Sequence, residues 1–374
     1  MPFVQTFLHH PRKLFLRWAL FQVHLWAGVL LSLYVIVIAL TGSILVFRSE
    51  IVRAQLPSTL TSYNPSQTAS IAQVIAAVQR TYPAAHIADL TLPSSISPAF
   101  VIAAQNPDHH SFYLLADPTT ATLYPRHRTW IDWTYDLHVY LLLGTAHGMQ
   151  VNGIGAAILM LLCITGLVLW WPGLKLWTRG LRISLRHNWR RINFDAHSAI
   201  GFWTLLLVSW WAFSGIYFAW YKQVAAAVAI VSPIRGMAAP IAPPRPTSNQ
   251  HASLEAILQA IHQAAPQGHL YSLSDPALTT PTVYALVDLR APGDFSHRDI
   301  ISLSTRDARI LTDWHYGQNH TLGDWVLWAM HPIHFGTVWG TPIKILWSLL
   351  GVSLAVLTLT GLLMYWNRYL RHRL

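Results

Sequence analysis

His24–Gly42, HLWAGVLLSLYVIVIALTG, is an unbroken apolar run without an Asp, Glu, Lys or Arg, and His197–Gly215, HSAIGFWTLLLVSWWAFSG, repeats its plan. A histidine, a glycine, a hydroxyl residue and a second glycine recur at the same offsets of 4, 17 and 18. They are His24, Gly28, Thr41 and Gly42 in one run, and His197, Gly201, Ser214 and Gly215 in the other. An α-helix crosses the hydrocarbon core with about 20 apolar residues. Four stretches meet that length, approximately Leu16–Phe47, Asn152–Trp171, Phe202–Tyr221 and Thr341–Trp366. The first is too long for a signal-peptide core and has no clear small-residue cleavage site after it, so it reads as an uncleaved anchor.

The charge distribution orients these spans. Of 374 residues 53% are hydrophobic and only 11% charged, against roughly 25% charged in soluble domains. The net charge of +10 is concentrated beside the spans, at Arg12, Lys13 and Arg17, at Lys175, Arg179, Arg182, Arg186, Arg190 and Arg191, and at Arg368, Arg371 and Arg373. The segment 48–151 holds five bases against six acids, and 222–335 holds seven against eight. Short basic loops stay in the cytoplasm and long near-neutral segments are translocated. Both termini and the 172–196 loop are therefore expected in the cytoplasm, and the basicity reports topology, with no nucleic-acid partner implied. The one cysteine, Cys163, lies inside the second span. It rules out a disulfide framework, a Cys-ligated iron–sulfur cluster and covalent haem attachment through C-x-x-C-H.

The two translocated segments share a plan. In the first, Ile71–Tyr82 reads as a helix capped by Ser70 or Thr68, Phe100–Ala104 and Ser111–Ala116 as strands, and Asp117–Thr120 as a turn. In the second, Leu254–Ala264 reads as a helix capped by Ser253. Val283–Leu289 and Ile300–Leu303 read as strands, Ser304–Asp307 as a turn and Ala308–Leu311 as a last strand. Pro240–Pro246 reads as a linker. The second and fourth spans also match each other. Trp133 precedes Gly144 and Trp325 precedes Gly336 by 11 residues, and each span later reaches a Thr-Gly pair, Thr165-Gly166 and Thr360-Gly361. Close helix packing accounts for such small pairs.

The expected fold is thus an α-helical membrane protein with four transmembrane helices in two helix–domain–helix repeats and two small α+β periplasmic modules. Its order is an N-terminus with span one (1–47), module one (48–130), a lead-in with span two (131–172), a basic loop (173–196), span three (197–222), module two (223–325) and span four with the C-terminus (326–374).

Among twenty histidines, placement selects a few. His24 lies seven residues past Arg17, roughly 10 Å along a helix from the basic end, and His197 opens the third span. An ionisable group inside a span is costly and marks a functional site by default. On the outer side, His138 precedes Thr165 by 27 residues and His334 precedes Thr360 by 26, the best match there, with His147 and His331 as alternatives. Zinc sites want three or four protein ligands, and no Asp, Glu or Cys accompanies these positions. Copper fits by softness, but methionine is sparse and badly placed. A haem iron needs one axial imidazole from each side, and its macrocycle fills apolar space between helices. Two histidine pairs at two depths therefore point to two haem b groups, with His24, His197, His138 and His334 as axial ligands to the haem irons. Histidine on both faces of each iron suits electron transfer.

Three stretches resemble a known family: HLWAGVLLSLYVIVIALTGSILVFRSEI from His24, LHVYLLLG with NGIGAAILMLLCITGLVLWWPG from Leu137, and HFGTVWGTPIKILWSLLGVSLAVLTLTGLLMYWNR from His334. They are similar to the PepSY-associated transmembrane proteins, also called iron-regulated membrane proteins, over nearly the whole chain, and the external segments are similar to PepSY domains. The resemblance implies a di-haem inner-membrane reductase of ferric siderophores, passing electrons from a cytoplasmic donor to a periplasmic ferric chelate. It also matches His24, His197, His138 and His334 to the family's histidines. A chelate site would draw on Trp130, Trp133, Tyr135, Trp314, Tyr316 and Trp325, with Asp132, Asp136, Asp313 and Asp324 for released Fe(II). Two other classes compete. One is a binding or regulatory protein whose external modules take a peptide or protease. The other is a siderophore or metal permease. The first leaves the matched intramembrane histidines without a role, and the second wants polar residues at mid-depth, where these spans show few charges.

Overall fold

The computed structural model describes residues 15–57, 60, 63–174, 176–235, 251–292 and 294–370. The expected linker Pro240–Pro246 and the basic residues Arg12, Lys13, Lys175, Arg371 and Arg373 lie outside the described residues. By contacts the chain divides into a helical unit (Met1–Phe47, Trp130–Ala227, Ile333–Leu374) and a sheet unit (Arg48–Thr129, Val228–Pro332).

In the helical unit four helices are long and apolar enough to cross a membrane. They are α1 (Phe15–Leu45), α5 (Thr145–Trp170), α6 (Trp189–Ala219) and α10 (Thr341–Tyr365), the last extended by one π-turn to Leu370. Helix α6 begins thirteen residues before the expected Phe202, because WRRINFDAH is too polar to register as a span yet is helical, started by the Asn188 side chain accepting the Arg191 N–H at 3.0 Å. His197 therefore lies two turns inside the helix. Small residues set the crossings. A methyl group on Gly155 would meet the Tyr34 ring, on Gly351 the Ser43 hydroxyl, and on Gly153 the Ala219 methyl group, each within 2.3 Å. Val35, Ala39, Cys163, Val208, Leu354 and Ala355 fill the centre. Arg17 donates to the carbonyls of Val168, Leu169 and Trp171, closing the C-terminal end of α5 where a cation is favoured.

The second and fourth spans do not run straight to their outer histidines. His138 sits on a separate helix α4 (Trp130–Tyr140), and the chain breaks at Leu141–Gly144 before α5 begins. Leu141, Leu142 and Gly144 all have positive φ, 51°, 59° and 76°. His334 sits on α9 (Leu322–Phe335), followed by Gly336–Gly340 before α10. Gly144 and Gly340 are the N-caps of α5 and α10, with φ of 76° and 74°, and each follows its outer histidine by six residues. The match of Gly144 with Gly336 at 11 residues from tryptophan is thus corrected to Gly144 with Gly340.

In the sheet unit the two long segments between the spans join in one antiparallel sheet. The first supplies α2 (Arg48–Ala54), α3 (Ile71–Thr81), β1 (His86–Thr91), β2 (Phe100–Gln105), β3 (Ser111–Ala116) and β4 (Leu123–Pro125). The second supplies α8 (Leu254–Ala264), β5 (His269–Ser274), β6 (Thr282–Asp288), β7 (Arg298–Ser304) and β8 (Ile310–Tyr316), after α7 (Tyr221–Val231). The strand order is β4-β3-β2-β1-β5-β6-β7-β8. Separate modules are therefore corrected to one shared sheet, closed at its centre by Asp89, Leu90 and Thr91 pairing Ser274, Leu273 and Ser272. Each half carries one helix on its core. Val74 and Val78 of α3 pack with Leu90, Phe100 and Ile102, and Ile257 and Ile261 of α8 pack with Leu273, Val283 and Ile301. Ser70, not Thr68, caps α3, in a capping box with Gln73. The Asp117 turn forms as expected, its carboxylate accepting the N–H groups of Thr119 and Thr120. The last strand begins two residues later than expected and runs on to Tyr316, so Asp313, Trp314 and Tyr316 lie on β8.

Candidate functional site

Four histidines of the helical unit face one another in two pairs. The rings of His24 on α1 and His197 on α6 have centres 6.5 Å apart, and those of His138 on α4 and His334 on α9 have centres 6.4 Å apart. An imidazole nitrogen stands about 2.0–2.1 Å from a bound metal, and a ring built of bonds near about 1.33 Å has its centre about 1.1 Å behind that nitrogen. Two imidazoles on opposite sides of one metal ion therefore have centres about 6.3 Å apart. Both pairs match that spacing. Rotation about the axial bonds is free, so interplanar angles of 89° and 62° are both compatible with it.

Each ring is held by its other nitrogen. Nδ1 of His24 lies 2.9 Å from the Thr165 hydroxyl, and Nδ1 of His138 lies 3.0 Å from that of Thr41. Nδ1 of His197 lies 3.0 Å from the Thr360 hydroxyl and 3.0 Å from the Leu357 carbonyl. Nδ1 of His334 lies 2.7 Å from the Ser214 hydroxyl. The pattern is reciprocal: α1 lends His24 to the Thr-Gly pair of α5, and α4 lends His138 to the Thr-Gly pair of α1. The neighbouring glycines admit the ring edges. A methyl group on Gly42 would come 2.9 Å from His138 Cε1, on Gly166 3.2 Å from His24 Cε1, and on Gly361 3.1 Å from His197 Cε1. Gly28 and Gly201, one turn beyond His24 and His197 on the same faces, are different. A methyl group there would meet only Leu162 at 3.9 Å and Leu357 at 3.6 Å, which is ordinary contact.

The outer histidines are also fixed through their backbones. Asn152 Nδ2 donates to the His138 carbonyl at 2.7 Å, and its Oδ1 accepts the Tyr34 hydroxyl at 2.7 Å. Trp211 Nε1 donates to the His334 carbonyl at 3.2 Å, and Trp347 Nε1 to that of Ile333 at 2.6 Å. Side chains thus satisfy the carbonyls that each helix end leaves open. In the sequence the four hydroxyls read as packing residues beside glycine. The signal for their second role was that a hydroxyl residue precedes glycine in every pair. The alternatives lie elsewhere: His147 is exposed in the first turn of α5, and His331 is exposed with its ring 6.3 Å from that of Tyr316.

The residues proposed around the chelate divide between the units. Trp130, Trp133 and Tyr135, with Asp132 and Asp136, lie on α4 in the helical unit, the two tryptophans half exposed. In the sheet unit Trp314 packs against Tyr316, whose hydroxyl donates to the Trp328 carbonyl, and Trp325 packs against Trp328. Asp324 is withdrawn as an iron ligand. It is buried, and its carboxylate accepts the N–H groups of Arg235, His320 and Thr321 at the start of α9. Asp313 lies near His315 and the buried Asp299, the only group of three or more metal-ligand side chains among the described residues. Neither histidine pair, then, gains a third protein ligand there.

The Asp299 carboxylate hydrogen-bonds His315 at 2.5 Å and raises its pKa above the ordinary value. A raised histidine pKa stabilises the fold fully below the unfolded value of about 6.5, and that contribution is lost as pH rises through the folded value. His315→Asn should therefore destabilise the sheet unit more at about pH 5.5 than at about pH 8.5, as thermal unfolding at the two pH values checks.

These features define a multi-pass membrane protein with a facing histidine pair at each of two levels of its helical unit. Residues 21–368 match the family described as PepSY-associated TM region. The chain belongs to that family. No curated protein matches the sequence.

Proposed function

We propose that the protein is a di-haem b oxidoreductase of the inner membrane, reducing ferric siderophores in the periplasm with electrons from a cytoplasmic donor and freeing Fe(II) for uptake. The observation that carries the haem reading is the ring spacing of 6.4–6.5 Å in both histidine pairs, with every Nδ1 already engaged. The siderophore substrate rests on the family resemblance. The charge distribution supports both termini in the cytoplasm and the sheet unit outside, and the paired halves of sheet and helices support the two-repeat plan.

The residues present fit the group. His24 and His197 would hold one haem, and His138 and His334 the other, through Nε2. Bound there, each iron supplies reversible one-electron exchange. The chain does the rest. Thr165, Thr360, Thr41 and Ser214 orient the imidazoles, Gly28 and Gly201 leave the inner ring's space clear, and apolar helices exclude water. Each ferric ion takes up one electron, and the Fe(II) formed holds hard oxygen ligands less strongly, so iron leaves while the chelator stays intact. A peptide-binding module or a permease gives the paired histidines nothing to do.

Proteoliposomes with an impermeant reductant inside, and a ferric hydroxamate with a ferrous-specific chelator outside, test the activity. The ferrous complex should form outside vesicles that hold haem-loaded protein, and its formation should fall by at least about tenfold in His334→Ala. Haem-loaded protein that forms no ferrous complex would rule out the substrate.

A further inference from the structure

We infer that Thr165, Thr360, Thr41 and Ser214 are positioning residues that lock His24, His197, His138 and His334 in the Nδ1–H tautomer and so set the donor strength of each Nε2. This rests on the di-haem reading and extends it to residues that bind no iron. A hydroxyl has one proton to donate, and in each case a carbonyl of its own helix stands ready to take it. Thr41 donates to Val37 at 2.7 Å, Thr165 to Leu161 at 2.8 Å, Ser214 to Trp210 at 2.8 Å and Thr360 to Leu357 at 2.7 Å. With that proton committed, the oxygen meets the imidazole only as an acceptor, and Nδ1 is the donor. A backbone carbonyl gives a second, independent argument at one of the four sites. At His197 the Leu357 carbonyl accepts from Nδ1 at 3.0 Å. A carbonyl never donates, so the proton belongs to the ring.

The lone pair is thereby left on Nε2, the nitrogen that would bind the iron. Accepting from Nδ1–H also makes Nε2 a stronger donor, which favours ferric over ferrous iron. Serine or threonine thus serves where valine or alanine would pack as well. All four sites share the device, which a packing role alone does not require.

Thr165→Val and Thr165→Ser in the full-length protein, titrated potentiometrically with the haem content measured, test the assignment. Thr165→Val should weaken the preference for ferric iron about tenfold, a rise of about 59 mV in one of two midpoint potentials, or should lose one haem of two. Thr165→Ser should retain both haems at wild-type potentials. The result that overturns the assignment is a valine variant with two haems and unmoved potentials, or a serine variant displaced as far as valine. A colourless wild-type protein would instead overturn the di-haem reading, and this assignment with it.

Discussion

Alanine at His24 or at His197 is expected to leave a protein that carries one haem where the wild type carries two. The two rings stand 6.5 Å apart between centres, so each would supply one of the two imidazoles to the same iron. His24 stands on α1 and His197 on α6, so each variant tests the same haem from a different helix. His138→Ala and His334→Ala should remove the other haem in the same way. Extraction and haem quantification of the purified variants check this. One haem in either inner variant, and none in the double variant His24→Ala with His138→Ala, is the expected pattern. The polypeptide itself should persist, since its helices are held by other contacts, such as Arg17 on the end of α5 and Asn193 donating to the Thr360 carbonyl at 2.9 Å.

The second large effect is expected at a residue that touches no histidine. Gly28→Leu should expel the inner haem while leaving the outer one in place. A leucine on α1 would project one turn beyond His24 on the same face, where a methyl group finds nothing closer than 3.9 Å. The added Cβ meets no clash, and the helix gains, because leucine is favoured over glycine by up to about 1 kcal/mol in a helix interior. Loss of haem without loss of thermal stability separates obstruction of the ring's space from damage to the fold. Gly201→Leu, opposite Leu357 on α10, should behave alike. Gly42→Leu would be different in kind, since there the added carbon meets His138 itself at 2.9 Å and would displace the ligand.

Much of this arrangement is written in the sequence. Apolar runs of bilayer length locate four helices, and the shared offsets of His24 and His197 mark the inner pair before any coordinates. His138 and His334 are legible too, but their depth is not. Counting 27 and 26 residues to Thr165 and Thr360 as continuous helix places them roughly 40 Å away. The break after His138 falls largely on apolar residues, Leu141 and Leu142, whose positive φ no local sequence rule announces, whereas the break after His334 runs between two glycines of positive φ, Gly336 and Gly340. Helix α6 starts early because its first turns are polar, and hydropathy is blind to helices that leave the bilayer. The join of β1 to β5 is a long-range pairing between segments more than 170 residues apart, and HIADLT alternates too weakly to declare itself a strand. The four hydroxyls show the opposite limit. They were visible as small-residue pairs, and only their distances to Nδ1 reveal them as acceptors.

The most direct test of the account is the visible spectrum of the purified full-length protein in detergent, oxidised and then reduced with dithionite, with haem measured per chain. Two haems per polypeptide, with a low-spin spectrum that sharpens and shifts on reduction and no high-spin component, is the result that two bis-histidine sites require. A colourless protein, or one whose single haem survives alanine at all four of His24, His197, His138 and His334, would contradict it.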